Sequence, residues 1–537
     1  MAAPSASEIS AALLYPNNWW GGSTVTYSIA GPGSAWPGYG AADEPSNASY
    51  GTLNGQQAGQ FATAMAAWDK VLALSLVQQS DAGSPGQIRV AFTDADAFQD
   101  EDVWGYAFSP PSSGGSGAAK AGDIWLDNER AASTFTPTSY DFMATIHEIG
   151  HALGLKHPFE EGATLPAEYD NHRYTVMSYT DNVDDVFRTI EPTATGIRSV
   201  PTGVFATTPM VFDIAALQAR YGADPTTAPE ATTYSWSQAA PIMQTVYDAG
   251  GIDTFDLSTL TRGSNVDLAP GAYSSIAYYS AEQQAADWTA RYPWASSFLA
   301  QQFIQPSTYT WSLNVGIAYS TLIENVVGGS GADTVSGNDA ANNIAGGGGN
   351  DTIAGGAGQD YLRGDAGDDR IVGGADFDDI NGNIGADTAS GGAGNDWVVG
   401  GKDDDALAGD DGADIVYGNI GNDVADGGAG DDLVRGGQDN DVLTGGDGAD
   451  WLSGDRGSDT MTGGAGADVF HTFGDAGIDR VLDFSLAQGD RVQLDPGTTY
   501  TLAQSGADTV ISMGGGGQMI LVGVTLASLV GDWLFGA

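Results

Sequence analysis

Apolar residues recur along this chain with more than one period, and each period predicts a different element. From Gln56 to Val77 they return every three or four residues, which predicts an amphipathic helix whose core side is Phe61, Met65, Trp68 and Leu72. Other segments alternate apolar and polar residues and predict strands, at 23–29, 87–92, 104–108 and 122–126. The first half of the chain therefore mixes helices and strands.

From Gly328 to His471 the period is nine residues, and it holds for 144 residues or sixteen nonapeptides. The pattern GGxGxDxUx is clearest in Gly355–Arg363 and resembles the calcium-binding repeat of RTX proteins. Two such units make one turn of a parallel β-roll, with the eighth residue in a thin core. The sixth residue is predicted to bind calcium, at Asp333, Asp351, Asp360, Asp369, Asp378, Asp387, Asp396, Asp405, Asp414, Asp423, Asp432, Asp441, Asp450, Asp459 and Asp468.

A period of 36 residues lies on top of the period of nine. Gly-Gly-Ala-Gly opens at 355, 391, 427 and 463, and the sequence of 382–385 recurs at 418. We interpret this as growth of the roll by copying four nonapeptides at once, which lengthens a spacer without requiring a new function. Aspartate replaces glycine at the fourth position in Asp376, Asp403 and Asp439, so altered calcium binding is expected there.

Composition excludes several classes of protein. A chain of 537 residues is long enough for two or more domains. Its net charge of −51 argues against binding to nucleic acid or to anionic membranes. It has no cysteine, and no apolar run approaches the roughly 18 residues that span a bilayer. The start of the chain lacks a basic region and an apolar core, so we expect no cleaved secretory signal there.

The strongest chemical signal is the window His147–His157, which holds three of the five histidines. His147 and His151 are four residues apart and share one face of a helix. Gly154 suits a left-handed helix end, after which the chain can return His157 as a third ligand. Three nitrogens leave the fourth zinc position open, as in catalytic sites. Glu148 lies about 100° round the helix, where it can reach a metal-bound water.

The second half of the signature is Tyr174–Tyr179, with Met177 in its centre. The sequence HEIGHALGLKH followed by VMSY resembles that of the serralysin family of secreted bacterial metalloproteases, which are metzincins. That resemblance implies one catalytic zinc held by His147, His151 and His157, with Glu148 as general base. It implies that Met177 floors the site and that Tyr179 is both a swing-in zinc ligand and an oxyanion stabiliser. A further histidine, His172, is interpreted as a surface or packing residue.

The resemblance extends to other segments. The strand Asp123–Leu126 would edge the cleft and pair with extended peptide, and Asp248 and Asp253 resemble a calcium loop. The segment Asp532–Phe535 resembles an uncleaved C-terminal secretion signal. The aromatic-rich segment 281–311 looks inserted, and its rings either pack locally on the roll or form a docking surface for a partner.

Together these features predict an α+β protein. A mixed α/β metzincin protease domain spans 1–240, a β-rich connector with the aromatic insert spans 241–327, the all-β parallel β-roll spans 328–471, and a C-terminal β cap with export signal spans 472–537. The predicted function is a secreted, extracellular zinc endopeptidase that uses several structural calcium ions. Its expected partners are protein or peptide substrates and a type I secretion machinery, and it is expected to be a monomer. The alternative is an RTX adhesin or surface-layer component with a vestigial protease domain.

Overall fold

The computed structural model describes residues 3–39, 50–93, 104–112 and 119–536. The chain divides into two compact units. We call residues 1–232, 238–251 and 270–322 the N-terminal unit, and residues 233–237, 252–269 and 323–537 the roll unit. Within the described ranges, no helix has both the length and the apolar character needed to cross a bilayer.

The N-terminal unit contains all six α-helices of the described chain. They are α1 (Ala6–Leu13), α2 (Gly55–Asp69), α3 (Tyr140–Leu153), α4 (Val211–Tyr221), α5 (Ala281–Arg291) and α6 (Ser296–Phe303). Its strands are β1 (Thr24–Ile29), β2 (Ser75–Gln78), β3 (Ile88–Thr93), β4 (Gly105–Ala107), β5 (Asp123–Asp127), β6 (Val186–Thr193), β7 (Gly196–Gly203), β9 (Gln244–Val246), β12 (Tyr273–Ser274) and β13 (Val315–Ile317). The first helix begins with a capping box formed by Ser5 and Glu8.

Five strands form the main sheet of this unit, in the order β2-β1-β3-β5-β4. The pairs are parallel except for β4, which runs antiparallel to β5 and occupies the edge. The prediction that Asp123–Leu126 edges the cleft is therefore wrong, because both sides of β5 are already paired. Gly105–Ala107 is the strand that borders the cleft. The loop between these two strands, residues 108–122, lies partly outside the described residues.

The predicted helix 56–77 ends early, at Asp69. The carboxylate of Asp69 accepts a hydrogen bond from the backbone N–H of Leu76 at 2.6 Å, and 75–78 pairs in parallel with β1. Phe61, Met65 and Trp68 are buried as predicted, and Leu72 is buried in the turn beyond the helix. Strand pairing thus overrides a helical pattern that continues in the sequence.

The segment between 241 and 327, predicted to be β-rich, also contains helices α5 and α6. They pack against the hairpin β6–β7 through a cluster of Ile190, Ala295, Leu299 and Phe303. The apolar residues of α6 recur at helical spacing within this segment, and they are buried against the hairpin, whereas the sequence predicted local packing on the roll. The packing partner is the hairpin of the N-terminal unit.

The roll unit consists of two 13-stranded sheets. Its strands are β8 (Thr233–Ser235), β10 (Thr254–Asp256), β11 (Asn265–Asp267), β14 (Asn325–Val327), β15 (Thr334–Ser336), β16 (Asn343–Gly348), β17 (Thr352–Gly356), β18 (Tyr361–Ala366), β19 (Arg370–Ala375), β20 (Asp379–Ile384), β21 (Thr388–Ala393), β22 (Trp397–Lys402), β23 (Ala406–Asp411), β24 (Ile415–Ile420), β25 (Val424–Ala429), β26 (Leu433–Gln438), β27 (Val442–Asp447), β28 (Trp451–Arg456), β29 (Thr460–Ala465), β30 (Val469–Thr472), β31 (Ile478–Val481), β32 (Arg491–Leu494), β33 (Tyr500–Ser505), β34 (Asp508–Met513), β35 (Gln518–Leu521) and β36 (Leu534–Phe535).

Successive repeats alternate between the two sheets, so each strand pairs in parallel with the strand 18 residues later, as in Leu362 with Ile380. The eighth residue of every nonapeptide, from Val335 to Phe470, is buried. This confirms the predicted parallel β-roll with a thin core. Beyond the repeats, β33, β34 and β35 pair antiparallel and close one sheet, which is the cap that a solenoid end needs.

Candidate metal centres

The helix α3 positions two of the three predicted zinc ligands. Ser139 caps its first turn, and His147 and His151 are buried one turn apart. The helix ends at Gly154, whose φ of 113° lies in the left-handed region that glycine tolerates. The chain reverses there and brings His157 back to the other two histidines.

The three imidazoles converge through their Nε2 atoms. The Nε2 atom of His157 lies 3.0 Å from that of His151 and 3.2 Å from that of His147. Their Nδ1 atoms are held from outside, at 2.7 Å from the carbonyl oxygen of Val176 for His147 and 2.9 Å from that of Leu155 for His151. An Nδ1–H that donates to a carbonyl leaves an Nε2 lone pair pointing inward.

This donor set fits zinc. Two ligand nitrogens on a tetrahedral zinc lie roughly 3.3 Å apart, given Zn–N distances near 2.0–2.1 Å. Burial and the neighbouring imidazoles lower the pKa of His147 well below its usual value, and the same causes lower the pKa of His151 to about 3. Both rings are therefore held in the neutral form that binds a metal.

Glu148 lies beside this cluster in a cavity of about 300 Å³, whose wall includes Tyr140, Met143 and Val176. Its carboxylate is buried, and its Oε2 atom has no hydrogen-bond partner among the described residues. Burial raises the pKa of this carboxyl to about 8. An orphaned buried carboxylate oxygen that opens into a cavity suits a group that accepts a proton from a reactant.

The methionine turn packs below the histidines. Met177 is fully buried, and a Cβ added to Gly150 of α3 would lie 2.8 Å from its sulfur atom. Asp213 of α4 anchors this turn by accepting hydrogen bonds from Thr175 Oγ1 at 2.5 Å and from the Val176 N–H at 2.9 Å. Sequence reasoning missed this role of Asp213, although a carboxylate within the apolar run Phe212–Leu217 was a signal that could have revealed it.

Tyr179 lies at the mouth of the cluster. Its ring centroid is 4.5 Å from that of His157 and 5.8 Å from that of His147. The side chain is exposed, which leaves it room to move toward the three nitrogens. His172 is buried, with its Nε2 atom 2.8 Å from the carbonyl oxygen of Ser178, in keeping with a packing residue.

The sixth-position aspartates of the roll share one geometry from Asp351 to Asp468. In each of them the Oδ1 atom accepts a hydrogen bond from the backbone N–H of the residue 18 positions earlier. Asp369, for example, accepts from the N–H of Asp351 at 2.8 Å. The other oxygen, Oδ2, is buried and has no hydrogen-bond partner in the described chain for all fourteen residues in this stretch. Burial raises the pKa of these carboxyls, to about 8 at Asp441. Buried carboxylate oxygens at regular intervals fit calcium, which takes oxygen ligands.

Three predicted calcium ligands lie outside the series from Asp351 to Asp468. Both oxygens of Asp333 accept backbone hydrogen bonds, from the N–H of Ser264 at 2.6 Å and of Gly329 at 3.0 Å. Asp248, in the N-terminal unit, accepts from the N–H of Gly250. Asp253 belongs to the roll unit and is also buried. Their calcium roles remain predictions.

The series of buried aspartates that accept backbone hydrogen bonds continues into the cap, which sequence reasoning missed. Asp479 and Asp490 are buried and accept from the backbone N–H groups of Asp459 and Asp468 at 3.4 and 3.2 Å. Their spacing departs from nine residues, which is why the repeat pattern did not reveal them. Asp483 accepts from the N–H of Gly463 at 2.9 Å and so ends the series differently.

Comparison with known proteins gives two family matches. The matrixin peptidase family matches residues 47–187. The RTX calcium-binding nonapeptide repeat matches several overlapping segments between 321 and 481. The matrixin match implies a catalytic zinc, and the RTX match implies structural calcium.

Curated relatives agree with these matches. The chain is 30% identical over 242 residues to a serralysin of Proteus mirabilis, which covers 41% of this chain and 40% of that protein. It is 29% identical over 317 residues to the metallopeptidase AprA of Pseudomonas marginalis, covering 54% and 56% of the two chains. It is 30% identical over 310 residues to the metalloprotease AprA of Pseudomonas entomophila, covering 53% and 54%. The chain thus spans about half the length of the relatives it matches.

These findings confirm the predicted resemblance. The chain combines a matrixin-type peptidase domain with RTX calcium-binding repeats and has serralysin and AprA homologues at about 30% identity. This combination supports a serralysin-type metalloprotease.

Proposed function

We propose that this chain, with its matrixin-type domain and RTX repeats, is a zinc-dependent endopeptidase of extracellular proteins. The convergence of three Nε2 atoms beside the buried carboxylate of Glu148 carries the proposal. A bound zinc ion would polarise the scissile carbonyl and lower the pKa of a coordinated water. Glu148 then accepts the proton of the attacking water and delivers it to the leaving amine.

Two more residues act on the substrate side. Tyr179, next to His157, would donate its hydroxyl proton to the oxygen of the tetrahedral intermediate and bind zinc in the resting enzyme. The edge strand Gly105–Ala107 lines the same cavity at Gly105, and in this proposal extended peptide would pair along it. The cavity beside Glu148 would receive one substrate side chain.

The roll, in this proposal, binds calcium at the sixth-position aspartates from Asp333 to Asp468 and folds only where calcium is abundant. Residues 328–471 carry 29 Asp, no Glu and five Lys or Arg, a net charge of −24. Extracellular calcium modules bind at roughly 10⁻⁴ to 10⁻³ M, above cytosolic calcium. A chain that stays unfolded inside the cell can pass a type I exporter.

The end of the chain agrees with export before folding. In the folded roll unit Trp533 is buried against Phe484, and Leu534 pairs with Val492. An exporter can therefore read Asp532–Phe535 only while the cap is unfolded. A monomer that binds no nucleic acid is part of the same proposal.

The alternative is an RTX adhesin or surface-layer component with a vestigial protease domain. Every residue of the zinc and methionine-turn motifs is present, which weighs against it. The test is casein clearing by the calcium-loaded full chain with and without a zinc chelator, and by Glu148→Ala. If both the zinc chelator and Glu148→Ala abolish clearing, the result supports the peptidase proposal. A zinc-loaded, folded chain without proteolysis would favour the adhesin.

A further inference from the structure

The two faces of the roll have the same core but different surfaces. The seventh and ninth residues of each nonapeptide point outward on either side of the buried eighth residue. On the sheet that contains β18, β20, β22, β24, β26 and β28, hereafter the aromatic sheet, these positions carry Tyr361, Trp397, Tyr417 and Trp451. On the sheet that contains β17, β19, β21, β23, β25, β27 and β29, the opposite sheet, they carry no aromatic residue between 352 and 462, a stretch that is described throughout.

The 36-residue period explains part of this asymmetry. Thirty-six residues make two full turns, so the copies at 382–385 and 418–421 lie on the same sheet, two strands apart. Two strand spacings amount to about 9.6 Å. Asn383 and Asn419 therefore flank Gly401 of the strand between them, and both have left-handed φ angles, of 79° and 84°. The duplication of four nonapeptides therefore lengthened the roll and also placed a second copy of the same asparagine on this sheet.

Because Gly401 has no side chain, a groove forms between the two asparagines. It has a volume of about 350 Å³ and is bordered by Asn381, Asn383, Tyr417, Asn419 and Gln438. Side-chain amides each offer a donor and an acceptor, as a hydroxyl group does. Trp397 begins the strand that crosses this groove, and its side chain is 50% exposed. An exposed ring beside a polar groove offers a ligand an apolar face to pack against.

The rings on this sheet are held in place before any ligand binds. The guanidinium of Arg435 lies 4.9 Å from the Tyr417 ring and forms an ion pair with Asp455 at 2.5 Å. The Phe377 ring centroid lies 6.3 Å from that of Trp397. Side chains fixed in this way lose little rotational freedom on binding, which favours affinity.

The charges of the aromatic sheet nearly balance. Arg363 binds Asp379 at 2.8 Å, and Arg435 binds Asp455. Near the groove there remain one exposed cation, Lys402, and one carboxylate, Asp365, which accepts a hydrogen bond from the side-chain amide of Asn383 at 3.3 Å. The turns around the sheet carry the acidic excess of the repeats. An anionic polymer would meet that excess, whereas an uncharged ligand matches a face whose charges cancel.

We propose that the aromatic sheet binds a neutral, extended β-linked glucan that runs across the strands. The amides of Asn383, Asn419 and Gln438 bind sugar hydroxyl groups in the groove, and Trp397 and Tyr417 stack on the apolar faces of sugar rings. A polymer of identical units suits a surface that repeats every second turn. The roll would thereby hold the enzyme on a polysaccharide matrix, independently of the zinc site.

The test is affinity electrophoresis of the calcium-loaded full chain in native gels that contain hydroxyethylcellulose or laminarin, with alginate as the anionic comparison. Glu148→Ala serves as the parent to prevent self-digestion. Trp397→Val and Tyr417→Thr place on the aromatic sheet the residue types that Val442 and Thr444 contribute to the opposite sheet. We expect retardation by a neutral glucan, and a dissociation constant about five-fold higher or more in each variant.

Val442→Thr, at the seventh position of the opposite sheet, is the matched control and should bind like the parent. Circular dichroism in calcium confirms that the variants are folded. Three results would overturn the proposal: no retardation by either neutral glucan, retardation by alginate alone, or equal weakening by Val442→Thr. Casein clearing by the same substitutions in an active chain should stay at the parental rate, which separates this site from the peptidase proposal.

Discussion

The two metal regions hold their ligands by the same device. In the zinc cluster, Nδ1 of His147 and of His151 is fixed by a backbone carbonyl, and Nε2 faces inward. In the roll, Oδ1 of a sixth-position aspartate is fixed by a backbone N–H, and Oδ2 is left buried without a partner among the described residues. In each side chain one atom forms a hydrogen bond that orients the group, and the other atom is available to bind the metal.

The regions differ in what remains when the metal is absent. Two histidines of the zinc cluster lie on helix α3, whose own Phe142 is fully buried, as is Trp68 of the neighbouring helix α2. The roll has one buried apolar residue per nonapeptide, with a sixth-position aspartate beside it in all repeats except the one that carries Asn342. We infer that zinc adds chemistry to a stable core, whereas calcium is needed for the core of the roll to form.

Selective metal removal is the strongest test of this difference. In a Glu148→Ala chain, a calcium-specific chelator should abolish most of the β-structure of the roll, because unscreened carboxylates repel one another across turns. Removal of zinc alone should leave the circular dichroism spectrum intact. Far-ultraviolet spectra and proteolytic protection of each unit report the outcome. A roll that stays β-structured without calcium would show that the charge argument is wrong.

Replacement of the general base should have the largest effect on activity. Glu148→Ala removes the proton acceptor from the cavity, and we expect kcat to fall by about 10³–10⁴ with zinc still bound. Peptide hydrolysis and zinc content are measured on the same sample. Glu161→Ala, an exposed carboxylate of the same unit, is the control and should retain activity. Substantial turnover in zinc-loaded Glu148→Ala would remove this residue from the mechanism.

The tyrosine beside His157 should have a smaller effect, mainly on kcat. Tyr179→Phe deletes one hydroxyl that engages the oxyanion, which corresponds to about 2–4 kcal/mol for a single oxyanion-hole donor. Steady-state kinetics on a peptide substrate separate kcat from KM. An increase in KM at constant kcat would make Tyr179 a substrate-binding residue instead.

The anchor of the methionine turn should affect stability and zinc affinity together. Asp213→Asn leaves one accepting oxygen where Thr175, Val176 and Met210 donate to two, which should cost about 1–3 kcal/mol. Because the Val176 carbonyl orients His147, we also expect zinc to bind roughly 10-fold more weakly. Thermal unfolding and competitive zinc titration measure the two effects. A lower stability at unchanged zinc affinity would limit Asp213 to a structural role.

The smallest effect is expected from single aspartates of the roll. Asp414→Asn removes one oxygen that lacks a protein partner in the described structure and should lower the number of bound calcium ions by about one. Asp333→Asn changes a residue whose two oxygens already accept backbone hydrogen bonds, so it should alter stability more than calcium content. Calcium content after dialysis distinguishes them. Equal losses in both variants would show that Asp333 is a calcium ligand as predicted.

The sequence determined the repeating and local features of this protein. The nine-residue period placed every eighth residue in the core, because a glycine-rich repeat with one aliphatic position can bury its side chains only by stacking. The spacing of His147, His151, Gly154 and His157 placed three nitrogens together, because helix geometry and one left-handed glycine fix their relative positions. These inferences needed no information beyond the neighbouring residues.

Tertiary structure alone decided the features that depend on distant segments. Pairing with β1 ended α2 at Asp69, and pairing with β4 moved β5 away from the cleft edge. The anchoring of the methionine turn by Asp213 joins residues 37 positions apart, and no local pattern encodes it. The aromatic sheet likewise emerges only when 18 residues are wound into one turn, since winding sorts alternate repeats onto opposite faces. Long-range pairing and burial made these choices because they outweigh the weak preferences of single residues.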